Sequence, residues 1–345
     1  MSDRLRVVVT SPFPEADLAE LVRREPRIDL VYEADLLREP GVDWQQRKER
    51  TPEDQERFDA LVDTADALLG APDASGTALA RTVAANPRLR WMQTIQAGGG
   101  QIVKAAHLDD AARERIVFTT SAGAYSGPLA EFAVFGVLAG GRRLGELRAA
   151  QDRHEWRSRL VMPAAADQTV AVVGLGSIGR ASAQKLALLG YRVIGVHRRR
   201  VEAEGVERIE PVERLADVAE EVDAIVLALP GTQATEGMLS REVLARIKPG
   251  ATVVNVGRGT TVDEPALVEA LQDGRVGFAA LDVFAVEPLP TDSPLWDLPN
   301  VVIAPHTAGV DAHEPRIVAE LFAENARRLL DGEPLLNVVD PVEFY

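Results

Sequence analysis

Short apolar runs rich in β-branched residues alternate with amphipathic segments along nearly the whole chain, and this alternation constrains the fold more than any other feature. Such runs before residue 121 are RVVVT, IDLVYE, DALLGAP, LRWMQTI and RIVFTT. Those after it are TVAVVGLG, RVIGVH, AIVLALP, TVVNVGRG, VGFAALDV and VVIAPH. Nearly continuous hydrophobic character is typical of strands that helices cover on both faces. We therefore predict an α/β protein of parallel strands joined by crossover helices.

The length of 345 residues favours two domains, because a single core usually stops growing at about 250 to 300 residues. The second group of runs predicts a doubly wound domain over residues 126–312. The late segment EPRIVAELFAENARRLLDGEP has helical periodicity and a stop signal at Gly332, and we assign it to the first domain, residues 1–125 with 313–345. From Pro128, apolar residues keep helical spacing for more than twenty residues, which predicts one long helix connecting the domains.

The composition excludes several classes of function. A formal net charge of -15 disfavours nucleic acids and acidic membranes as partners, because both bind basic surfaces. The chain has no cysteine, which excludes disulfides, thiolate metal sites and a cysteine nucleophile, and we expect no metal. The start, MSDRLRVVVTS, is too polar for a signal peptide, and no run approaches the roughly 18 apolar residues of a membrane span. We expect a cytoplasmic protein.

A polar, charge-mixed insertion occupies residues 38–57, REPGVDWQQRKERTPEDQER. Mixed charges of this kind are typical of a solvated loop or helix. We assign no function to it.

A glycine pattern, GLGSIG, stands between a strand and a helix. Gly174, Gly176 and Gly179 follow the apolar run TVAVV and precede the helical segment RASAQKLALLG. In a dinucleotide site the first glycine permits a tight turn, the second lets the backbone approach a pyrophosphate, and the third lets helix pack on strand. The helix N-terminus then faces the anion. We predict a dinucleotide site that includes Ser177 and Ile178, the alternative being a purely structural turn.

The stretch YRVIGVHRRR bears on which dinucleotide binds. An acidic residue that holds the ribose 2′-hydroxyl is expected about 20 residues after the glycines, but His197 stands there, followed by Arg198, Arg199 and Arg200. A carboxylate would repel a 2′-phosphate, whereas a guanidinium can bind one. We predict NADP(H) in preference to NAD(H), with Arg198 and Arg199 as the phosphate contacts and His197 also among the cofactor-binding residues. The alternative is a solvated arginine loop and NAD(H).

Polar residues follow three of the later strands. Arg258 follows TVVNVG, Asp282 and Glu287 follow VGFAAL, and His306 follows VVIAP. Ligands of open α/β sheets lie outside the carboxyl ends of strands. An arginine can hold a carboxylate bidentately, and a histidine can exchange a proton with a hydroxyl near neutral pH. Singly, each could be a solvated or turn residue; together they indicate an alcohol–carbonyl oxidoreductase.

These blocks resemble the D-2-hydroxyacid dehydrogenase family over almost the whole chain. The matching segments are GLGSIGR, LPGTQATEGM, NVGRGTTVDEPALVEAL, ALDVFAVEPLP, SPLWDLPNVVIAPHTAG, LRWMQTIQAG and GPLAEF. The resemblance implies two doubly wound domains, a Rossmann-type cofactor domain inserted into a flavodoxin-like substrate domain. It also implies that the substrate binds between the two domains.

The resemblance also implies site roles. Arg258 would bind the substrate carboxylate and carbonyl, His306 would be the acid/base, and Glu287 would pair with His306. Backbone amides at Gly98 and Gly99 would share the carboxylate. The remaining expected cofactor contacts are Leu229, Pro230, Thr235, Val256, Gly257, Asp282, His306, Ala308 and Gly309.

Two positions depart from the family pattern. Gly98-Gly99-Gly100 replaces a common Gly-Val-Asp run, which we interpret as removing side chains from the substrate loop. Phe132 stands where a histidine often follows Ala-Glu. The expected reaction is reduction of a small 2-keto acid, such as glyoxylate or hydroxypyruvate, to the D-2-hydroxy acid. The alternative is a cofactor-sensing, non-catalytic protein that resembles the corepressor branch of the family.

The segment HEWRSR bears on assembly. Relatives in the family pair through this region, and we therefore expect a homodimer that uses Trp156. The alternative is that Trp156 packs within its own chain.

Overall fold

The structure is a computed structural model that describes residues 4–39, 48–340 and 344. The chain divides into two compact units. The first comprises Met1–Ala124 and Asp311–Tyr345, and the second comprises Tyr125–Val310. Each unit contains one parallel sheet flanked by helices, which confirms the predicted fold class.

The first unit has a five-stranded sheet in the order β2-β1-β3-β4-β5, which is the flavodoxin-like order. All the strands are parallel. The strands are β1 (Leu5–Val9), β2 (Ile28–Val31), β3 (Ala67–Leu69), β4 (Trp91–Gln93) and β5 (Val117–Thr119). The helices of this unit are α1 (Glu15–Arg24), α2 (Pro52–Val62), α3 (Gly76–Ala85), α4 (Gly100–Ala105), α5 (Asp110–Arg115) and, late in the chain, α12 (Glu314–Asp331).

The second unit has a seven-stranded parallel sheet in the order β12-β11-β10-β9-β6-β7-β8. From β8 to β11, the strands follow the order of dinucleotide-binding sheets, and β12 is one further strand at the edge. The strands are β6 (Thr169–Val173), β7 (Arg192–Val196), β8 (Arg208–Glu210), β9 (Ala224–Leu227), β10 (Ala251–Asn255), β11 (Val276–Leu281) and β12 (Val301–Ile303). The helices are α6 (Ser126–Gly141), α7 (Leu144–Asp152), α8 (Ser177–Leu188), α9 (Leu215–Glu221), α10 (Arg241–Arg246) and α11 (Glu264–Gln272).

Apolar residues on both faces of the second sheet are buried, as the continuous apolar runs predict. Ile225 and Val253 belong to the core cluster on one face, and Val226 and Val254 to the cluster on the other. All four are inaccessible to solvent. The central strands therefore hold the carboxyl edge of the sheet in a rigid layer, and the functional loops start from that edge.

In the first unit, the late helix α12 packs on the sheet. The Trp91 ring of β4 stacks on Phe322 of α12 with the ring centroids 4.2 Å apart. Both side chains are fully buried. The chain thus returns to its first sheet after completing the second.

The strand β8 was not predicted from the sequence. Its residues, Arg208–Glu210, are all half-buried and two of them are charged. It pairs only with β7, at the edge of the sheet. An edge strand of three residues does not need an apolar run, so the hydrophobic signal is missing.

The single long helix predicted from Pro128 is wrong. α6 ends at Gly141, and Arg143 adopts a left-handed conformation with a φ of 57° before α7 starts. A Cβ atom on Gly136 would lie 2.7 Å from Val254, and one on Gly140 would collide with Thr252. The glycines let α6 approach β10 closely, so α6 is a layer of the second unit rather than a connector alone.

The insertion at residues 38–57 differs from a solvated segment where the structure describes it; residues 40–47 lie outside the described part. The Arg50 side chain is only 3% exposed and forms an ion pair with Asp73 at 2.9 Å. Arg50 also donates to the Leu36 carbonyl oxygen at 2.8 Å and lies over the Phe58 ring. The prediction of a solvated insertion is therefore wrong at Arg50, because partners distant in sequence bury this cation.

None of the described helices combines the length and apolar character that crossing a membrane requires.

Candidate active site

The glycine loop between β6 and α8 has the geometry of an anion cradle. Gly174 adopts a φ of +93°, and a Cβ on Gly179 would collide with the Gly174 carbonyl oxygen, so packing requires both glycines. A Cβ on Gly176 would meet nothing within 4 Å. Gly176 caps α8 without a side-chain hydrogen bond, and Ser177 after it is exposed. The helix N-terminus therefore offers its amides to an anion, and these residues fit a dinucleotide pyrophosphate.

Basic residues gather at the end of β7 beside this loop. His197 is half-buried, and its Nδ1 accepts a hydrogen bond from the Leu175 amide at 3.3 Å. Burial lowers the pKa of His197, and the positive charges of Arg198, Arg180 and Arg199 lower it further. Arg198 and Arg199 themselves are exposed. No carboxylate stands at position 197 to oppose a bound phosphate.

The loops after β9 and β10 pack against each other. Leu229 is buried, and the Thr235 hydroxyl donates to the Pro230 carbonyl oxygen at 2.6 Å, which folds the first loop back on itself. In the second loop, the Gly257 amide donates to Asn255 Oδ1 at 3.0 Å. A Cβ on Gly257 would lie 2.5 Å from the Leu229 carbonyl oxygen. Packing between the loops therefore requires Gly257.

Arg258 is half-buried at the end of β10. Its Nη1 donates to the Gly257 carbonyl oxygen at 2.7 Å. Burial lowers the pKa of Arg258, whereas the carboxylates of Glu287 and Asp282 act in the opposite direction. A guanidinium stays charged in proteins despite such shifts. Arg258 therefore presents a partly desolvated cation that is suited to a carboxylate ligand.

His306 and Glu287 form a hydrogen-bonded pair. His306 Nδ1 lies 2.7 Å from Glu287 Oε2, with the side chains 40% and 29% exposed. Glu287 Oε1 accepts from the Phe284 amide at 2.9 Å, which holds the carboxylate in place. Burial would raise the pKa of Glu287, but the hydrogen bonds from His306 and Phe284 outweigh it and the pKa lies below its usual value. The pair can hold an imidazole that is oriented for proton transfer.

Asp282 supports the loop that carries His306. Its carboxylate is buried, and Oδ1 accepts from the amides of Thr307 at 2.8 Å and Ala308 at 2.9 Å. Its backbone carbonyl oxygen accepts from the His306 amide at 2.9 Å. Burial raises the pKa of Asp282, against the effect of the two amides. Sequence reasoning placed Asp282 at the cofactor and missed this structural role, which depends on contacts across 25 residues.

His306 has a left-handed backbone conformation, with a φ of 52°, which indicates that its loop is constrained. Such a conformation is uncommon for a residue with a side chain and needs surrounding contacts to hold it. The Asp282 hydrogen bonds supply those contacts. Gly309 follows in this loop, and a Cβ there would lie 3.4 Å from Leu129 of α6.

The glycine run of the first unit is determined by packing. Gly99 is buried, its amide donates to the Gln96 carbonyl oxygen at 3.3 Å, and a Cβ there would collide with the Thr94 side chain. A Cβ on Gly100 would collide with the Phe344 carbonyl oxygen. This packing replaces the interpretation that the run clears side chains from a substrate loop. Of the two residues expected to bind substrate here, only Gly98 is partly exposed.

In the second unit, the structure brings together the four predicted polar residues of the strand ends. Arg258, Glu287 and Asp282 are close enough to influence one another's pKa, and His306 contacts Glu287 directly. Within residues 4–39, 48–340 and 344, no group of three histidine or carboxylate side chains could hold a metal ion.

Comparisons with known proteins agree with this arrangement. A family model described as the NAD-binding domain of D-isomer-specific 2-hydroxyacid dehydrogenases matches residues 134–308. Glyoxylate/hydroxypyruvate reductase B of Pectobacterium carotovorum is 35% identical over 74% of this chain and 80% of its own length. D-3-phosphoglycerate dehydrogenase of Mycobacterium bovis is 35% identical over 83% of this chain, which spans only 53% of that longer protein.

A solved structure is similar over almost the entire chain. It is a D-isomer-specific 2-hydroxyacid dehydrogenase from Xanthobacter autotrophicus in complex with NADPH and MES. It is 32% identical in sequence, with a TM-score of 0.80 over 99% of this chain and 100% of the other.

Proposed function

The chain belongs to the D-isomer-specific 2-hydroxyacid dehydrogenase family, and we propose that within this family it is an NADPH-preferring reductase of a small 2-keto acid of the glyoxylate or hydroxypyruvate type. The observation that carries the proposal is the 2.7 Å contact between His306 and Glu287, in the unit that also presents Arg258. A proton donor, its carboxylate partner and a carboxylate-binding cation are the groups that reduction of a 2-keto acid requires.

The two units would have different functions. Residues 126–312 would bind the dinucleotide, and residues 1–125 with 313–345 would form the substrate domain. The cradle around Gly176 and the basic cluster at β7 support the first assignment. The contribution of the Gly98 and Gly99 amides to carboxylate binding stays a prediction.

In the proposed mechanism, Arg258 binds the carboxylate of the 2-keto acid and orients its carbonyl group. The protonated His306 donates its Nε2 proton to the carbonyl oxygen, because Nδ1 is engaged by Glu287. A nicotinamide cofactor, which the loop of Gly174, Gly176 and Gly179 would hold, would supply the hydride for C2. Carbonyl reduction thus consumes one hydride and one proton and yields the 2-hydroxy acid. Glu287 stabilises the imidazolium before transfer and holds the ring during it.

The preference for NADPH would come from the end of β7. Arg198 and Arg199 form a cationic group next to His197, where a carboxylate would select NADH. A guanidinium can bind a 2′-phosphate through charge-assisted hydrogen bonds. The relative from Xanthobacter autotrophicus was solved with NADPH, which is compatible with this proposal.

The test is turnover of a panel of 2-keto acids with NADPH and NADH. We expect kcat/KM to favour NADPH, and Arg198→Ala to reduce that preference roughly ten-fold to a hundred-fold, since each phosphate contact contributes about 1.5 to 3 kcal/mol. Arg200→Ala is the matched control and should change the preference little. A wild-type preference for NADH would refute the cofactor assignment. Tight cofactor binding with no turnover of any acid would instead support a non-catalytic cofactor sensor.

We further propose that the chain forms a homodimer through the segment around Trp156. Trp156 is fully exposed and Val161 is 89% exposed, so neither packs within its own chain. Leu147, Leu160 and Met162 line an apolar groove together with Trp156. Exposed apolar surface of this kind marks interaction sites, and a second copy of the chain would cover it. Light scattering at micromolar concentration should give twice the chain mass, and Trp156→Ser should lower it; a monomeric wild type would refute the dimer.

A further inference from the structure

His197 makes a hydrogen bond that fixes its tautomer. Its Nδ1 accepts from the Leu175 amide at 3.3 Å, and Leu175 lies between Gly174 and Gly176 of the glycine loop. A neutral imidazole has one N–H group, so a ring that accepts a hydrogen bond at Nδ1 must have its N–H at Nε2. His197 therefore presents an N–H donor at Nε2 and an acceptor towards the loop.

The surroundings keep the ring neutral. The half-buried ring faces positive charge from Arg180 on α8 and from Arg198 and Arg199 after β7, and burial and these charges lower its pKa. On the neighbouring strand β8, the Glu210 carboxylate pairs with Arg208 at 3.1 Å, and the Glu210 carbonyl oxygen accepts from the His197 amide at 3.0 Å. A hydrogen on Nδ1 would also point at the hydrogen of the Leu175 amide, and this hydrogen bond would be lost.

A carboxylate at this position could perform only one of these two functions. An aspartate oxygen would accept from the Leu175 amide just as Nδ1 does. It would have no hydrogen to donate, and its charge would repel a phosphate. The imidazole separates the two functions, since one nitrogen accepts and the other donates.

We propose that His197 selects the cofactor through its Nε2–H tautomer, holding the glycine loop through Nδ1 while donating from Nε2 to the 2′-phosphate of NADPH. This inference rests on the proposed NADPH preference. According to this inference, discrimination between NADPH and NADH depends on a neutral histidine as well as on the neighbouring arginines.

The test compares Asp and Asn at position 197, which have the same shape and differ in charge. Both can accept from the Leu175 amide, but only Asn can also donate. Dissociation constants for NADPH and NADH are measured by titrating the fluorescence of the bound nicotinamide, without turnover. We expect His197→Asn to keep the NADPH-over-NADH affinity ratio within about three-fold of wild type, and His197→Asp to lower it at least about ten-fold.

A second measurement reads the tautomer directly in the wild-type protein. The chain has 5 histidines, and long-range proton–nitrogen NMR spectra distinguish the Nε2–H form from the Nδ1–H form. We expect His197 to be in the Nε2–H form. The signals are assigned through the backbone resonances of the wild-type protein, so this measurement holds even where a substitution at position 197 fails to fold.

The outcomes separate the two proposals. A wild-type protein that binds NADH as tightly as NADPH would overturn the proposed preference. NADPH preference that survives in His197→Asp, or an Nδ1–H tautomer in wild type, would overturn the role of His197 and leave the proposed function intact.

Discussion

The contact between His306 and Glu287 makes a quantitative prediction about catalysis. The hydrogen bonds from His306 and Phe284 hold the pKa of Glu287 below its usual value, so an ionised carboxylate faces the His306 ring near neutral pH. Glu287→Gln keeps the shape of the side chain and removes this charge. The variant should have a lower kcat/KM, because it loses the charge-assisted hydrogen bond that orients His306 for proton transfer.

The size of the loss follows from the contact. A hydrogen bond to a charged group contributes about 1.5 to 3 kcal/mol. With the His306 side chain 40% exposed and that of Glu287 29% exposed, solvent screening reduces this to about 1.4 kcal/mol. We therefore expect kcat/KM for keto-acid reduction to fall about ten-fold, which is the rate change that this free energy corresponds to.

The assay measures kcat/KM near neutral pH with NADPH and one saturable 2-keto acid. Glu264→Gln is a matched control, because Glu264 of α11 accepts at 2.9 Å from the amide of Ala285, which lies in the loop that carries Glu287. The control should leave kcat/KM close to that of wild type. An unchanged kcat/KM in Glu287→Gln, or an equal loss in both variants, would refute the reasoning.

Other substitutions test the remaining assignments. His306→Ala should lower kcat about 100-fold to 10,000-fold without changing the dissociation constant for NADPH, and equal turnover would remove His306 from the mechanism. Arg258→Lys should raise the KM of the keto acid at least about ten-fold in steady-state kinetics, since lysine lacks the bidentate fork; an unchanged KM would contradict carboxylate binding. Gly99→Ala should lower the free energy of unfolding by about 1 to 3 kcal/mol in urea titrations, because its Cβ would collide with Thr94; unchanged stability would show that the loop adapts.

The sequence predicted the parts of the fold that depend on local pattern. The apolar runs placed every strand of both sheets except β8, because a strand buried on both faces must be apolar throughout. The strand–glycine–helix order around Gly174, Gly176 and Gly179 placed the loop between β6 and α8, because Gly174 and Gly179 are required by close local packing. The sequence also predicted that three polar residues lie close together, because parallel strands bring their carboxyl ends to one edge of the sheet. These residues are Arg258, Glu287 and His306.

Contacts between residues distant in sequence decided the rest. β8 forms only because β7 offers an edge, and α6 ends at Gly141 rather than continuing towards residue 156. Arg50 is buried because Asp73 and Phe58 enclose it, although its own neighbours in sequence are polar. Gly100 is a glycine because the carbonyl oxygen of Phe344, far along the chain, packs against it. Local composition carries no record of such partners, so only the tertiary structure determines which side chains are buried, which glycines are required and which nitrogen of His197 accepts a hydrogen bond.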